Sequence, residues 1–75
     1  MSDTTMLDAQ GLLCPLPVLR ARKVIKTLPT GSYLEILATD PGSLEDFAAY
    51  CKSTGNELVN ASETDGVIRF VIRKV

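Results

Sequence analysis

Cys14 lies in the run Leu12-Leu13-Cys14-Pro15-Leu16-Pro17, after a short apolar strand pattern and before a basic amphipathic helix pattern. A thiol at a helix start faces backbone N–H groups that lack partners and the positive end of the helix dipole. Both favour the thiolate, which is the nucleophilic form of cysteine. The prolines suit that position. Proline is tolerated in a first helical turn, where its missing N–H would have had no partner, and its fixed φ matches the helix. It also disfavours α geometry in the residue before it, so Cys14 is expected to be extended and to project from the turn. The plain alternative is that Cys-Pro is only a small residue followed by a helix starter.

The other residue types narrow the chemistry. The chain contains no histidine, which removes Cys–His catalysis and histidine metal ligands. Its two cysteines are 37 positions apart, so neither a Cys-x-x-Cys dithiol nor a cysteine zinc site is expected. No glycine-rich phosphate loop is present, and no cofactor is implied. Eight basic and nine acidic residues leave a net charge of −1, which suggests neither nucleic acid nor a membrane surface as partner. No apolar run approaches the ~20 residues that span a bilayer. The opening Met1-Ser2-Asp3-Thr4-Thr5 has neither the positive nor the apolar part of a signal peptide, so a cytoplasmic location with reduced thiols is expected.

The chain's 75 residues fit one domain, 1–75, with a thin core shared by two layers. Thr5–Ala9 reads as a first strand, and Gln10-Gly11 turns out of it. From Pro17 to about Thr27, Val18, Ala21, Val24, Ile25 and Leu28 recur with Pro17 on one helical side. Leu28-Pro29-Thr30-Gly31 ends that helix, and Ser32–Thr39 is strongly β-prone. A second helix begins either at a Ser43/Asp46 capping box or at Asp40-Pro41. Its core stripe is expected to be Leu44, Phe47, Ala48 and Cys51, and Gly55 stops it. Glu57–Ala61 and Val67–Arg73 read as a hairpin around Asp65-Gly66. The predicted fold is an α/β two-layer sandwich, βαβαββ, with two helices on one face of a mixed four-stranded sheet. The very apolar last strand should lie between strands two and three. Glu35, Arg69 and Arg73 belong to the partly open face.

Four of the eight basic residues fall on the first helix. Leu16, Leu19, Arg20, Lys23 and Lys26 share its outward side, with Arg22 at the edge. A charged helix face is ordinarily just solvated, but two leucines among the charges suggest a surface for protein partners. Cys51, inside the apolar stripe, reads as a buried small hydrophobe. Asp8 and Asp40 read as turn or cap residues, and Tyr33 and Tyr50 as packing residues.

Cys14-Pro15-Leu16-Pro17 resembles the Cys-Pro-x-Pro motif of the TusA/SirA-type sulfur-carrier family. Leu7-Asp8-Ala9, Gly11-Leu12, the basic helix, Thr39-Asp40-Pro41, the Cys51…Gly55-Asn56-Glu57-Leu58 stretch and the hairpin are similar too, from about Met6 to Val75. The resemblance implies the same βαβαββ sandwich and a sulfurtransferase, and an exposed thiol at a helix start is expected to serve without a separate general base. Cys14 would receive sulfane sulfur as a persulfide from a protein donor, a cysteine desulfurase or rhodanese-like protein, and pass it to an acceptor protein. It casts Pro15 and Pro17 as positioning residues, while Leu16, Leu19, Arg20 and Lys23 would contact partners. Family roles include tRNA thiolation, molybdenum-cofactor supply and sulfur oxidation. Two positions depart from common members. Leu16 stands where some have an acidic residue, and Asn56 where many have histidine. Two other functions remain open on the residues alone: a non-catalytic interaction module using the basic helix, and a redox sensor pairing Cys14 with Cys51.

Overall fold

Alternating apolar residues make the sheet two-sided. A computed structural model describes residues 4–75 and contains β1 (Thr4–Ala9), α1 (Leu16–Lys26), β2 (Tyr33–Ala38), α2 (Ser43–Thr54), β3 (Glu57–Thr64) and β4 (Val67–Arg73). The polar opening Met1-Ser2-Asp3 lies outside the described residues. Strand order is β1-β2-β4-β3, with β1 parallel to β2 and both other pairs antiparallel. The last strand is therefore central, as its two-sided apolar character predicted. Leu34, Ile36 and Ala38 of β2 and Ile68, Phe70 and Ile72 of β4 fill the inner face. The β2–β4 register sets Ile36 opposite Phe70 and Leu34 opposite Ile72.

Both helices contribute to that same core. α1 buries Pro17, Ala21 and Ile25, with Val18, Val24 and Leu28 half-buried beside them. The predicted face is thus the buried one. Phe47 of α2 meets Phe70 with ring centroids 4.5 Å apart. Truncating either ring to alanine would cost roughly 3–5 kcal/mol, a large share of what a domain this size possesses.

The expected stripe on α2 needs correction. Leu44 and Ala48 are exposed; the buried residues are Ser43, Phe47 and Cys51, with Tyr50 packed against the core. The helix is rotated because Ser43 can be buried at little cost. Its hydroxyl donates to the Asp40 carbonyl at 2.6 Å, so no polar atom is stranded. Gly55, at φ 82°, ends the helix in the left-handed region, where glycine carries no Cβ penalty.

The hairpin is longer than its apolar residues suggested. β3 runs on through the exposed Ala61–Thr64 to a two-residue turn with Asp65 at φ 52° and Gly66 at φ 79°. Those paired positive angles match the right-handed strand twist. A register shift between Leu58 and Asn60 leaves Val59 as a bulge. On the outer sheet face Arg69 Nε donates to Glu35 at 2.6 Å and Arg73 Nε to Glu57 at 2.9 Å. Such exposed pairs contribute little to stability individually.

Candidate functional site

Parallel pairing of β1 with β2 brings the loops that follow both strands to one end of the sheet. Binding and chemistry in α/β sheets concentrate at that carboxyl end. The two loops are tied there. The Gly11 N–H donates to Thr39 Oγ1 at 2.9 Å, and the Cys14 N–H donates to Asp40 Oδ2 at 2.5 Å. The other Asp40 oxygen accepts the Gly42 N–H at 3.1 Å, which fixes the approach to α2. Asp40 therefore does more than turn the chain: it fastens the cysteine loop to the second helix start. Asp8 keeps its expected local role, accepting the Gln10 N–H at 3.0 Å.

Cys14 is exposed at this junction and Cys51 is buried. Pro15 occupies the N-cap of α1 with no side-chain cap, and the Cys14–Pro15 peptide bond is cis. Leu16 begins the helix, one residue earlier than the periodicity suggested. Pro17 is fully buried beneath it and anchors the turn to the core. Position 42 packs closely against Cys14. A Cβ there would stand 3.3 Å from Cys14 Cβ and 3.6 Å from its sulfur.

The electrostatics reverse one expectation. The Cys14 thiol donates a hydrogen bond to Asp46 Oδ2 in the first turn of α2. That bond, with partial desolvation and the negative charges of Asp46, Asp40 and Glu45, pushes the thiol from 9.0 up to about 11. The helix start favours thiolate, as argued from the sequence, but three carboxylates outweigh a pair of partial charges. In the free protein Cys14 is therefore a protonated thiol at neutral pH, not an ionised one. Asp40 itself is held below its usual range, chiefly by the N–H bond from Cys14 and then by that from Gly42.

The sequence offers Asp46 as half of a capping box with Ser43. The structure has no side-chain cap on α2, and its N-cap residue is Gly42. Asp46 instead reaches the sulfur, which lies 32 residues away in the chain. Only the parallel strand pair could have revealed this meeting, because it places the first turn of α2 beside the loop that leads into α1.

The outward residues of α1 lie where helical spacing put them. Leu16 and Leu19 are 46% and 45% exposed, and Arg20, Lys23 and Lys26 share their surface. Leu13, 71% exposed directly before Cys14, extends this apolar rim and was not singled out by sequence reading. Between α1 and α2 runs an open groove of about 340 Å³. Pro15, Leu19 and Arg22 line one side of it, and Asp46 and Tyr50 the other. Asn56, which departs from the common histidine, accepts the Val75 N–H at 3.1 Å on its side-chain oxygen. Among the described residues no group of side chains has the makings of a metal site. Among the described residues no helix is long and apolar enough to cross a membrane.

The family model described as Sulfurtransferase TusA matches residues 5–74. The chain belongs to the TusA family of sulfur carriers. It is 52% identical over 68 residues to the sulfur carrier protein TusA of Allochromatium vinosum, covering 91% of this chain and 90% of that one. With the sulfur carrier protein TusA of Pseudomonas syringae it shares 40% identity over 68 residues, covering 91% and 81% of the two chains. A crystal structure of a SirA-like protein from Desulfitobacterium hafniense superimposes with a TM-score of 0.81 at 28% identity, covering 92% of this chain and 95% of that one. The resemblance drawn from the sequence thus extends through the mixed-sheet fold, and TusA-family membership brings a general sulfur-transfer role that works through protein partners.

Proposed function

We propose that this chain carries sulfane sulfur as a persulfide on Cys14, taking it from a protein donor and passing it to a protein acceptor in a sulfur relay. The observation that carries this reading is the contrast in access: Cys14 stands exposed where the two loops meet, while Cys51 is in the core. Exchange at sulfur needs an attacking sulfur that can reach its target and a linkage that can be attacked in turn. Pro15 and Pro17 position the loop, the first capping α1 and the second anchored beneath it. Leu16, Leu19, Arg20 and Lys23, exposed beside Cys14, make the partner contacts. Their mixture of apolar anchors and positive charge fits a protein surface carrying acidic groups.

A cysteine desulfurase or a rhodanese-like protein fits the donor role, since each presents sulfur as a cysteine persulfide. The relay would end in tRNA thiolation, molybdenum-cofactor supply or sulfur oxidation, according to the acceptor. A redox sensor is disfavoured by the burial of Cys51.

Incubation with a cysteine desulfurase and free cysteine, followed by intact-mass measurement, tests the reading. A gain of one sulfur atom that reductant removes is the expected result. No gain under conditions that load a known carrier would leave only an interaction module, and an internal disulfide after mild peroxide would favour a sensor.

A further inference from the structure

Sulfur exchange at neutral pH needs Cys14 to lose its proton, and the sequence contains no histidine to receive it. Among the described residues, the one group hydrogen-bonded to the thiol is the Asp46 carboxylate. The other nearby acids are placed differently. Asp40 uses one oxygen on the Cys14 N–H and the other on the Gly42 N–H. Glu45, exposed in the first turn of α2, reaches the thiol only through its charge. From α1, Arg22 faces Asp46 across the groove and lies in no ion pair there among the described residues. The Asp46 oxygen therefore stands on the line along which the proton must leave.

We infer that Asp46 is the proton acceptor for Cys14 during sulfur uptake, and so a catalytic residue. The inference rests on the carrier reading above. As Cys14 Sγ attacks the outer sulfur of the donor's Cys–S–SH group, a new S–S bond forms at Cys14. The donor's own S–S bond breaks, and its cysteine sulfur leaves with the electron pair. Asp46 takes the Cys14 proton and returns it to the departing donor sulfur. One thiol and one persulfide become one persulfide and one thiol, so no external oxidant or reductant enters. Before docking, the same carboxylate holds the thiol in its less nucleophilic form, which limits reaction with small electrophiles.

The test combines single-turnover uptake from a persulfidated cysteine desulfurase with thiolate-absorbance titration, both in a Cys51→Ala background. Asp46→Asn keeps a hydrogen-bonding side chain but cannot take a proton. Its uptake should fall at least ~tenfold at pH 6.5, less than the ~100-fold that a positioned base commonly supplies, because the same change lets the thiol ionise more easily. The deficit should close by about pH 9, where solvent removes the proton from an unshifted thiol. In the same variant the thiolate midpoint should drop from about 11 towards 9.0. Asp46→Glu should restore uptake at pH 6.5. Superimposable uptake profiles for wild type and Asp46→Asn would overturn the inference alone, provided the wild type loads. So would a loss that is equal at every pH and unrescued by glutamate, which marks a merely structural side chain. A wild type that never gains sulfur overturns the carrier reading, and this inference with it.

Discussion

Two cysteines of one chain show how completely surroundings decide what a thiol is for. Cys51 sits on the buried side of α2 with 6% exposure, and burial alone raises its titration. Cys14 is raised too, but mainly by its hydrogen bond to Asp46 and only then by desolvation and neighbouring charge. Burial is permanent in the folded state. A hydrogen bond to a surface carboxylate can be broken by a proton transfer or by a docking partner. The same direction of shift therefore comes from permanent burial at one thiol and from a breakable surface contact at the other.

The largest expected effect breaks the comparison outright. Cys14→Ser should abolish the mass gain on incubation with a desulfurase and cysteine, whereas Cys51→Ala should load as the wild type does. Loading of Cys14→Ser would mean that the buried thiol is reached, and the contrast in access would lose its meaning.

Stability should show the reverse ranking. Cys51→Ser places a hydroxyl in the apolar core and should lower unfolding free energy by about 1–3 kcal/mol. Cys14→Ser, at the exposed loop, should change it far less. Urea unfolding at pH 7 compares the two.

A smaller effect concerns the neighbours of Cys14. Reversing charge at Arg20 and Lys23 should slow transfer with a protein partner by about three- to tenfold at low salt, and the difference should shrink as ionic strength rises. The Cys14 thiolate titration should scarcely move. An equal change in both measurements would make these residues tuners of the thiol and not docking contacts.

The smallest expected effect lies in the pH dependence of folding. The folded protein holds the Cys14 proton more tightly than the unfolded chain does. Its contribution is therefore complete below about 9.0 and is lost as pH rises towards about 11. Asp40 runs in the opposite direction, because its folded value is depressed. Its contribution is present above its ordinary 3.8 and is lost as pH falls through its lower folded value. Urea midpoints at pH 8 and pH 10.5 should thus fall more steeply in wild type than in Cys14→Ser. Parallel slopes would count against the Cys14–Asp46 bond in solution.

Much of the fold was legible because its signals are local. The alternation of Leu34, Ile36 and Ala38, the spacing of Ala21 and Ile25, and the Asp65-Gly66 turn each follow from a backbone period or from positive φ. The central place of β4 was readable from apolar residues on both its faces. The phase of α2 was not, because hydropathy ranks Leu44 above Ser43. It knows nothing of the carbonyl at Asp40 that satisfies the serine hydroxyl. Half the candidate site was legible for the same reason. Cys14, the prolines and the outward face of α1 declare themselves within a dozen residues. Asp46 looked like a helix cap because its true partner lies in another loop, brought near only when β1 and β2 pair side by side. The thiol's charge state depended on that partner, so it was misjudged from the helix start alone.

The displaced Val59 affects more than the local bend of its strand. β3 closes one side of the sheet, and an uninterrupted row of free amide and carbonyl groups there would invite a strand from a neighbouring molecule. The bulge breaks the regular spacing of that row, while Glu63 sets negative charge along it. An incoming strand would meet a mismatch partway along and repulsion from any like-charged copy. Strand pairing with a second copy is thereby discouraged by one displaced residue.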